Sequence, residues 1–192
     1  MLRKLPRKRR LVLNTLISSV LFVVFTVLGS TIEMSESIGI LEELETLSEF
    51  LKGLPTPILA LAIFANNFVK ALLLIPSGAV FGLPPIAFIA FNGLILGVVF
   101  NYSAANLGVW TTLAGILPHG ILEIPAILMA SGLALNVGWE VWMKVLGRDG
   151  KPKAAIKEGL KTCLRVILPL LVVAALIEVY VTPLIVMLIA RA

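Results

Sequence analysis

Residues 57–75 read PILALAIFANNFVKALLLI, and stretches of this kind decide the class of the fold. An α-helix rises about 1.5 Å per residue, so a run of this length approaches the ~30 Å thickness of a bilayer's hydrocarbon core. Comparable apolar runs occupy residues 11–28, 86–117, 118–138 and 166–189. The sequence therefore predicts an all-α fold, a polytopic membrane helical bundle of about five transmembrane helices.

The composition supports the same class of protein. Of the 192 residues, 59% are hydrophobic and 14% are charged, whereas a soluble domain carries about 25% charged residues. The basic residues are gathered in two blocks beside apolar runs, a pattern that topology explains better than nucleic-acid binding. The single cysteine excludes a disulfide within the chain.

Charge asymmetry predicts the topology. Residues 1–10 form a basic tail and residues 139–165 a second basic block, while residues 31–56 are acidic. Because basic segments stay in the cytoplasm, five crossings put both basic blocks inside and the acidic segment outside. We therefore expect a cytoplasmic N-terminus, an outer C-terminus, and one membrane-embedded domain over residues 11–192.

The acidic outer segment also carries a helical pattern. Its apolar residues recur at steps of three and four, which is typical of an amphipathic helix; they are Ile38, Leu41, Leu44, Leu47, Leu51 and Leu54. Its glutamates would repel anionic lipid head groups. We therefore expect this helix to dock on the protein itself or on another membrane or envelope protein.

Two further local predictions concern the middle of the chain and the second basic block. Residues 86–138 are too long for two ordinary crossings with a loop, so an irregular or re-entrant piece is expected near residues 102–120. The tripeptide Pro118-His119-Gly120 resembles a helix start, since proline is tolerated in a first turn. A short surface helix is predicted at residues 154–161.

Polar side chains inside the apolar runs are the candidates for function. Such groups are costly in lipid and tend to face a bundle interior, a cavity or one another. Asn66 and Lys70 share a helix face at a spacing of four, as do His119 and Glu123. We expect these side chains to form one polar core, in which Lys70 pairs with Glu123 or Glu178. The members of this core are Asn66, Asn67, Lys70, Asn92, His119, Glu123, Glu178 and Thr182.

Three interpretations of this polar core stay open. It is a hydrogen-bonded network that fixes helix register, a proton or ion path, or a metal site. For the metal site, His119, Glu123 and Glu178 would supply one nitrogen and two carboxylates, a combination known for catalytic zinc. No cofactor is required by the sequence, and no serine lies in a nucleophile-elbow pattern.

Gly93 and Gly97 form a G-x-x-x-G match inside the third crossing. Glycines at this spacing allow two helices to approach closely, either within the chain or between copies in a homo-oligomer.

The order of these motifs resembles one membrane-protein family. Asn66-Asn67, Asn92-Gly93, the string Pro118-His119-Gly120-Ile121-Leu122-Glu123-Ile124-Pro125, and Ile177-Glu178 followed by Thr182-Pro183 resemble the stage II sporulation protein M family over residues 57–190. The resemblance implies a bundle of about five crossings and marks the polar residues as one set. In spore formers the namesake works in engulfment, as a membrane anchor or scaffold for peptidoglycan-degrading partners.

The resemblance implies a non-enzymatic membrane protein acting in a cell-envelope complex, in contact with lipid and with other membrane proteins. The alternative is a small transporter or channel for protons, ions or a small solute, whose path passes Glu178, Glu123 and His119. A metal-dependent intramembrane enzyme is the third hypothesis.

Overall fold

The computed structural model describes residues 7–32, 39, 41–43, 46, 49–51 and 53–191, and these form a bundle of long helices. We number the helices α1 (Arg7–Ser30), α2 (Thr56–Ser77), α3 (Leu83–Leu107), α4 (Val109–Val145) and α5 (Pro152–Ala190). All five are long and apolar enough to cross a membrane. No strand occurs in the described ranges. The predicted all-α class and the number of five membrane-length helices are confirmed.

The predicted amphipathic helix at residues 31–56 falls partly outside the described residues, and residues 1–6 of the basic tail lie outside them altogether. Where the segment is described, residues 39, 41–43, 46 and 49–51 have helical backbone. The prediction of an outer docking helix stays a prediction.

Helix α4 lies at the centre of the bundle, because it packs against each of the other four helices. The main hydrophobic core forms where α4 meets α2 and α5. Alanines let these backbones approach closely. Close packing is what stabilises contacts between helices in a bilayer, because lipid tails are as apolar as the side chains and burial from lipid gives no hydrophobic gain. The core residues are Ala71, Leu74, Ile75, Ala126, Ala130, Leu133, Ala134, Cys163, Ile167 and Leu171.

Helix α1 packs along α3 through glycine. A side-chain carbon at Gly97 would collide with the carbonyl oxygen of Thr26, and one at Gly93 would lie 2.8 Å from the carbonyl oxygen of Phe22. A side-chain carbon at Gly29 would likewise collide with the carbonyl oxygen of Leu94. The close approach at Gly93 and Gly97 therefore joins two helices of one chain.

The predicted irregular piece near residues 102–120 is wrong. Helix α3 continues to Leu107 and α4 starts at Val109, so the helical backbone is interrupted only at Gly108. Gly108 has φ 85°, a conformation that glycine adopts without steric cost. The excess length is absorbed by α4 itself, whose 37 residues span about 55 Å.

The predicted helix start at Pro118-His119-Gly120 is also wrong, since Pro118 and Pro125 both lie inside α4. A proline removes one backbone hydrogen bond, which neighbouring helices can compensate in a membrane bundle. The tripeptide has the residues of a helix start, but in the packed bundle α4 continues through it.

The helix predicted at residues 154–161 is present, as the α-helical stretch Pro152–Thr162. It is not an isolated surface element, because it forms the first part of α5, which continues through the π-helical segments Cys163–Ile167 and Ile177–Val181 to Ala190. Ala155 and Gly159 are buried in the bundle, and Gly159 faces Ile75 and Leu133. This inward packing holds the amphipathic first part of α5 against the bundle.

Three helix ends meet at Glu140. Its carboxylate accepts a hydrogen bond from Arg10 Nη2 at 2.5 Å and another from the backbone N–H of Lys151 at 2.9 Å. Glu140 thus ties the start of α1 and the start of α5 to the last turns of α4.

Candidate functional site

A polar cavity of about 470 Å³ lies between helices α2, α3, α4 and α5. Seven of the eight polar-core candidates line it. They come from four different helices and are Asn66, Asn67, Lys70, Asn92, His119, Glu123 and Glu178. The remaining lining residues are apolar: Leu51, Ala62, Ile63 and Ile127. Thr182 does not line the cavity.

The break at Gly108 brings Asn92 to the level of His119 and Glu123. Asn92 precedes this break by about as many residues as Glu123 follows it, so the two helices present them at similar height. Asn92 donates a hydrogen bond to the carbonyl oxygen of Phe88 at 2.8 Å, which fixes its amide against its own helix. His119 and Glu123 project from one face of α4, as their spacing of four requires.

Helix α2 supplies two neighbouring amides and one ammonium group. Asn66 Nδ2 donates a long hydrogen bond of 3.4 Å to Asn67 Oδ1, and the buried Asn67 interacts in turn with the Glu123 carboxyl group. The charge of Lys70 also acts on Glu123. Within the described chain, however, Lys70 makes no direct ion pair with Glu123 or Glu178 at 4.0 Å or less.

Glu178 reaches the cavity from an irregular part of α5. Residues Ile177–Val181 form a π-helical segment, and Pro183 follows it directly in the next α-helical turn. Thr182 Oγ1 donates a hydrogen bond to the carbonyl oxygen of Ile177 at 3.2 Å. Short π-helical segments inside α-helices occur frequently at functional sites. Thr182 thus belongs to the backbone that carries Glu178.

His119, Glu123 and Glu178 form a close group in the cavity. One potential ligand atom from each residue lies within 4.8 Å of the other two. His119 Nδ1 is buried and has no hydrogen-bond partner among the described residues. An imidazole nitrogen and two carboxyl groups at this separation can share a proton, hold a cation, or coordinate a metal ion.

An apolar cavity of about 230 Å³ adjoins the polar one on the side of α1 and α3. The two cavities share Asn92, His119, Glu123 and Ile127, while Phe22 and Leu96 are among the apolar walls of the second. His119 and Glu123 therefore stand at a boundary between a polar and an apolar space.

Sequence reasoning missed a second polar region at the other end of the bundle. A cleft of about 520 Å³ is lined by Arg10, Asn136, Glu140, Asp149, Lys151 and Glu158, among others. Asn136 is buried inside α4, and its position in an apolar run was an available signal. The role of Glu140 carried only a weak signal, since it is one acidic residue within a basic block.

The family model described as Stage II sporulation protein M matches residues 16–183. The chain belongs to the stage II sporulation protein M family. The match extends beyond the motif region to include most of α1.

An uncharacterized protein of the archaeon Methanocaldococcus jannaschii is 36% identical to this family member over 125 residues, which cover 64% of this chain and 70% of the relative. No solved structure matches the chain.

Proposed function

We propose that the protein is a small membrane transporter for a cation, with the polar cavity as its binding site. The observation that carries this proposal is the meeting of seven polar side chains, from four membrane-length helices, around one cavity. Ionisable groups inside apolar spans are costly and typically mark ion or substrate pathways.

The lining of the cavity favours a cation over an anion. Glu123 and Glu178 contribute two acidic groups against one ammonium group, that of Lys70. The His119 imidazole and the amide oxygens of Asn66, Asn67 and Asn92 add further electron-pair donors. This donor set suits a small positively charged solute that has shed part of its hydration shell.

The helices are irregular beside the cavity, which is a further point in favour of a transport site. Pro118 and Pro125 bracket His119 and Glu123 in α4, and the π-helical segment Ile177–Val181 carries Glu178. Transporters commonly bind solutes near the membrane midplane, where helices are interrupted and their backbone can take part.

A route to the cavity is available on the α2 side. Asn66 and Lys70 are exposed although they lie midway along α2, and Leu51, which precedes α2, lines the same cavity. Polar groups at this depth need water or protein beside them. An aqueous entry along this face would satisfy them and admit the solute.

Cation uptake into vesicles that contain the purified full chain tests the proposal. We expect uptake above that of empty vesicles, lowered at least 10-fold by Glu178→Gln and by Glu123→Gln. Asp149→Asn, which makes the same acid-to-amide change at an exposed loop position, should leave uptake unchanged. Uptake no greater than that of empty vesicles would contradict a transport function, and uptake unaffected by Glu178→Gln would contradict the polar cavity as the binding site.

A second candidate function is that of a scaffold in a cell-envelope complex. The exposure of Asn66 and Lys70 in the middle of α2 also fits a face that is covered by another membrane protein or by a second copy of the chain. Under this hypothesis Glu123→Gln leaves partner capture intact. Charge reversal at Glu42 and Glu45, the latter outside the described residues, weakens capture.

The arrangement in the membrane is proposed on the basis of charge. Residues 1–10 and 139–165 would face the cytoplasm, residues 31–56 and the C-terminus would face outward, and residues 11–192 would act as one embedded domain. The support is the positive-inside rule, together with the contact of Arg10 with Glu140, which brings the two basic segments to the same end of the bundle.

A further inference from the structure

We infer that His119, Glu123 and Glu178 form a binding site for one divalent transition-metal ion, with zinc as the ion that their ligand set fits. The inference rests on the proposed cation site and names the class of cation. It starts from the separation of the three side chains, whose potential ligand atoms lie within 4.8 Å of one another.

That separation is close to the separation a metal requires. Zinc binds imidazole nitrogen and carboxylate oxygen at about 2.1 Å, which puts two tetrahedral ligands about 3.4 Å apart. The side chains therefore need to close from at most 4.8 Å to about 3.4 Å, a change that side-chain torsions can supply. The helices themselves need not move.

The backbone holds the three ligands from two independent directions. His119 and Glu123 lie one turn apart on α4, so their side chains share a face. Glu178 comes from the π-helical segment of α5, where the Thr182 hydroxyl donates to the carbonyl oxygen of Ile177 at 3.2 Å. A widened turn of this kind redirects a side chain without ending the helix.

The neighbours of the group match the surroundings of a metal site. Metal-binding carboxylates are usually held by further hydrogen-bonding partners, and Asn67 acts in this way on Glu123. His119 Nδ1 is buried without a partner in the described chain, so a coordinate bond would satisfy it. The remaining space of the cavity would leave a coordination position for water or solute.

The donor atoms decide the class of metal. Magnesium and calcium prefer sites made of oxygen alone, whereas imidazole favours zinc and its transition-metal neighbours. The Cys163 thiol lies in the core cluster and not among the residues that line this cavity. A set of one nitrogen and two oxygens therefore points to a divalent transition metal of zinc type.

Zinc binding to the full chain in detergent tests the inference. The protein is purified with a histidine-free affinity tag, treated with a chelator and dialysed against Zn²⁺. We expect about one Zn²⁺ per chain. Affinity should fall at least 10-fold in Glu123→Gln, Glu178→Gln and His119→Ala, each compared only where gel filtration shows an unchanged bundle. X-ray absorption should show one imidazole, because His119 is the chain's single histidine, and this signal should vanish in His119→Ala.

Two control variants separate the site from general effects. Asp149→Asn removes an exposed carboxylate in the distant cleft and should leave zinc affinity unchanged. Thr182→Val should weaken zinc binding several-fold through the backbone that carries Glu178. Thr162→Val removes the same kind of hydroxyl-to-carbonyl bond, to Glu158 at 3.0 Å, beside the π-helical segment Cys163–Ile167. It should leave zinc affinity unchanged.

The outcomes distinguish this inference from the transport proposal. Zinc bound equally by wild type and His119→Ala, or not bound by either, overturns the metal site, even if Glu178-dependent uptake of another cation is retained. Stoichiometric zinc that is lost in the three variants supports the metal site. If the same protein moves no cation into vesicles, the metal site stands and the transport function fails.

Discussion

At the scale of single residues, Glu140 is the polar group with the clearest structural role. Its side chain is only 12% exposed, and that of Arg10 is 18% exposed, while a second carboxylate oxygen accepts the Lys151 N–H. One carboxylate thereby joins three helix ends. A shielded ion pair of this kind differs from the pair of Asp149 with Lys151, whose side chains are 84% and 66% exposed.

We predict that Glu140→Gln lowers the free energy of unfolding by about 2 kcal/mol, because hydrogen bonds to charged groups contribute about 1.5–3 kcal/mol and Arg10 loses its counter-charge. Thermal unfolding in detergent, followed by circular dichroism, measures the change.

Asp149→Asn is the matched control for this prediction. It should shift the unfolding midpoint little, since exposed ion pairs contribute little to stability. Equal midpoints for Glu140→Gln and wild type would show that the shielded pair does not stabilise the junction.

At the scale of helices, the bundle depends on how closely α1 approaches α3. Gly97 sits directly against the backbone of Thr26 and Ser30, so nothing larger than hydrogen fits there without moving α1. Gly115 in α4 is different, because the nearest atom to an added side-chain carbon is Val186 Cγ2 at 3.9 Å.

We predict that Gly97→Ala destabilises the bundle by about 1–3 kcal/mol through overpacking. The same substitution at Gly115 should be neutral or stabilise by up to about 1 kcal/mol, since alanine restricts the unfolded chain more than glycine does. Denaturation in mixed micelles compares the two variants. A Gly97→Ala variant as stable as Gly115→Ala would mean that α1 shifts freely along α3.

At the scale of the whole molecule, the proposed orientation can be checked with cysteines. The native Cys163 is fully buried, so a Cys163→Ala background should be silent to a membrane-impermeant maleimide. In intact cells we expect labelling of Thr31→Cys, just after the C-terminal end of α1, and none of Asp149→Cys until the membrane is opened.

The reverse labelling pattern would place the basic segments outside and refute the orientation drawn from charge. Labelling of both positions in intact cells would mean that residues 31 and 149 lie on the same side of the membrane. That result would contradict three crossings, by α2, α3 and α4, between them.

The sequence by itself determined the helical class, the five membrane-length runs, the family and the identity of the polar residues. Each of these follows from local chemistry. An apolar run needs about 20 residues to cross a bilayer, and a charged residue inside such a run can be recognised from the sequence without knowing how the helices pack. The wrong prediction near residues 102–120 came from reading Pro118 as a helix start. The helix predicted at residues 154–161 is present, but it continues into the last crossing instead of ending within the basic block.

Only the tertiary structure decided where those boundaries lie and which polar residues meet. Packing against neighbouring helices let α4 continue through Pro118 and let α5 begin at Pro152. The distance from His119 and Glu123 to Glu178 joins positions more than fifty residues apart, so no spacing along the chain could supply it. It is set by the packing of α5 against α4 and by the π-helical segment Ile177–Val181 that carries Glu178.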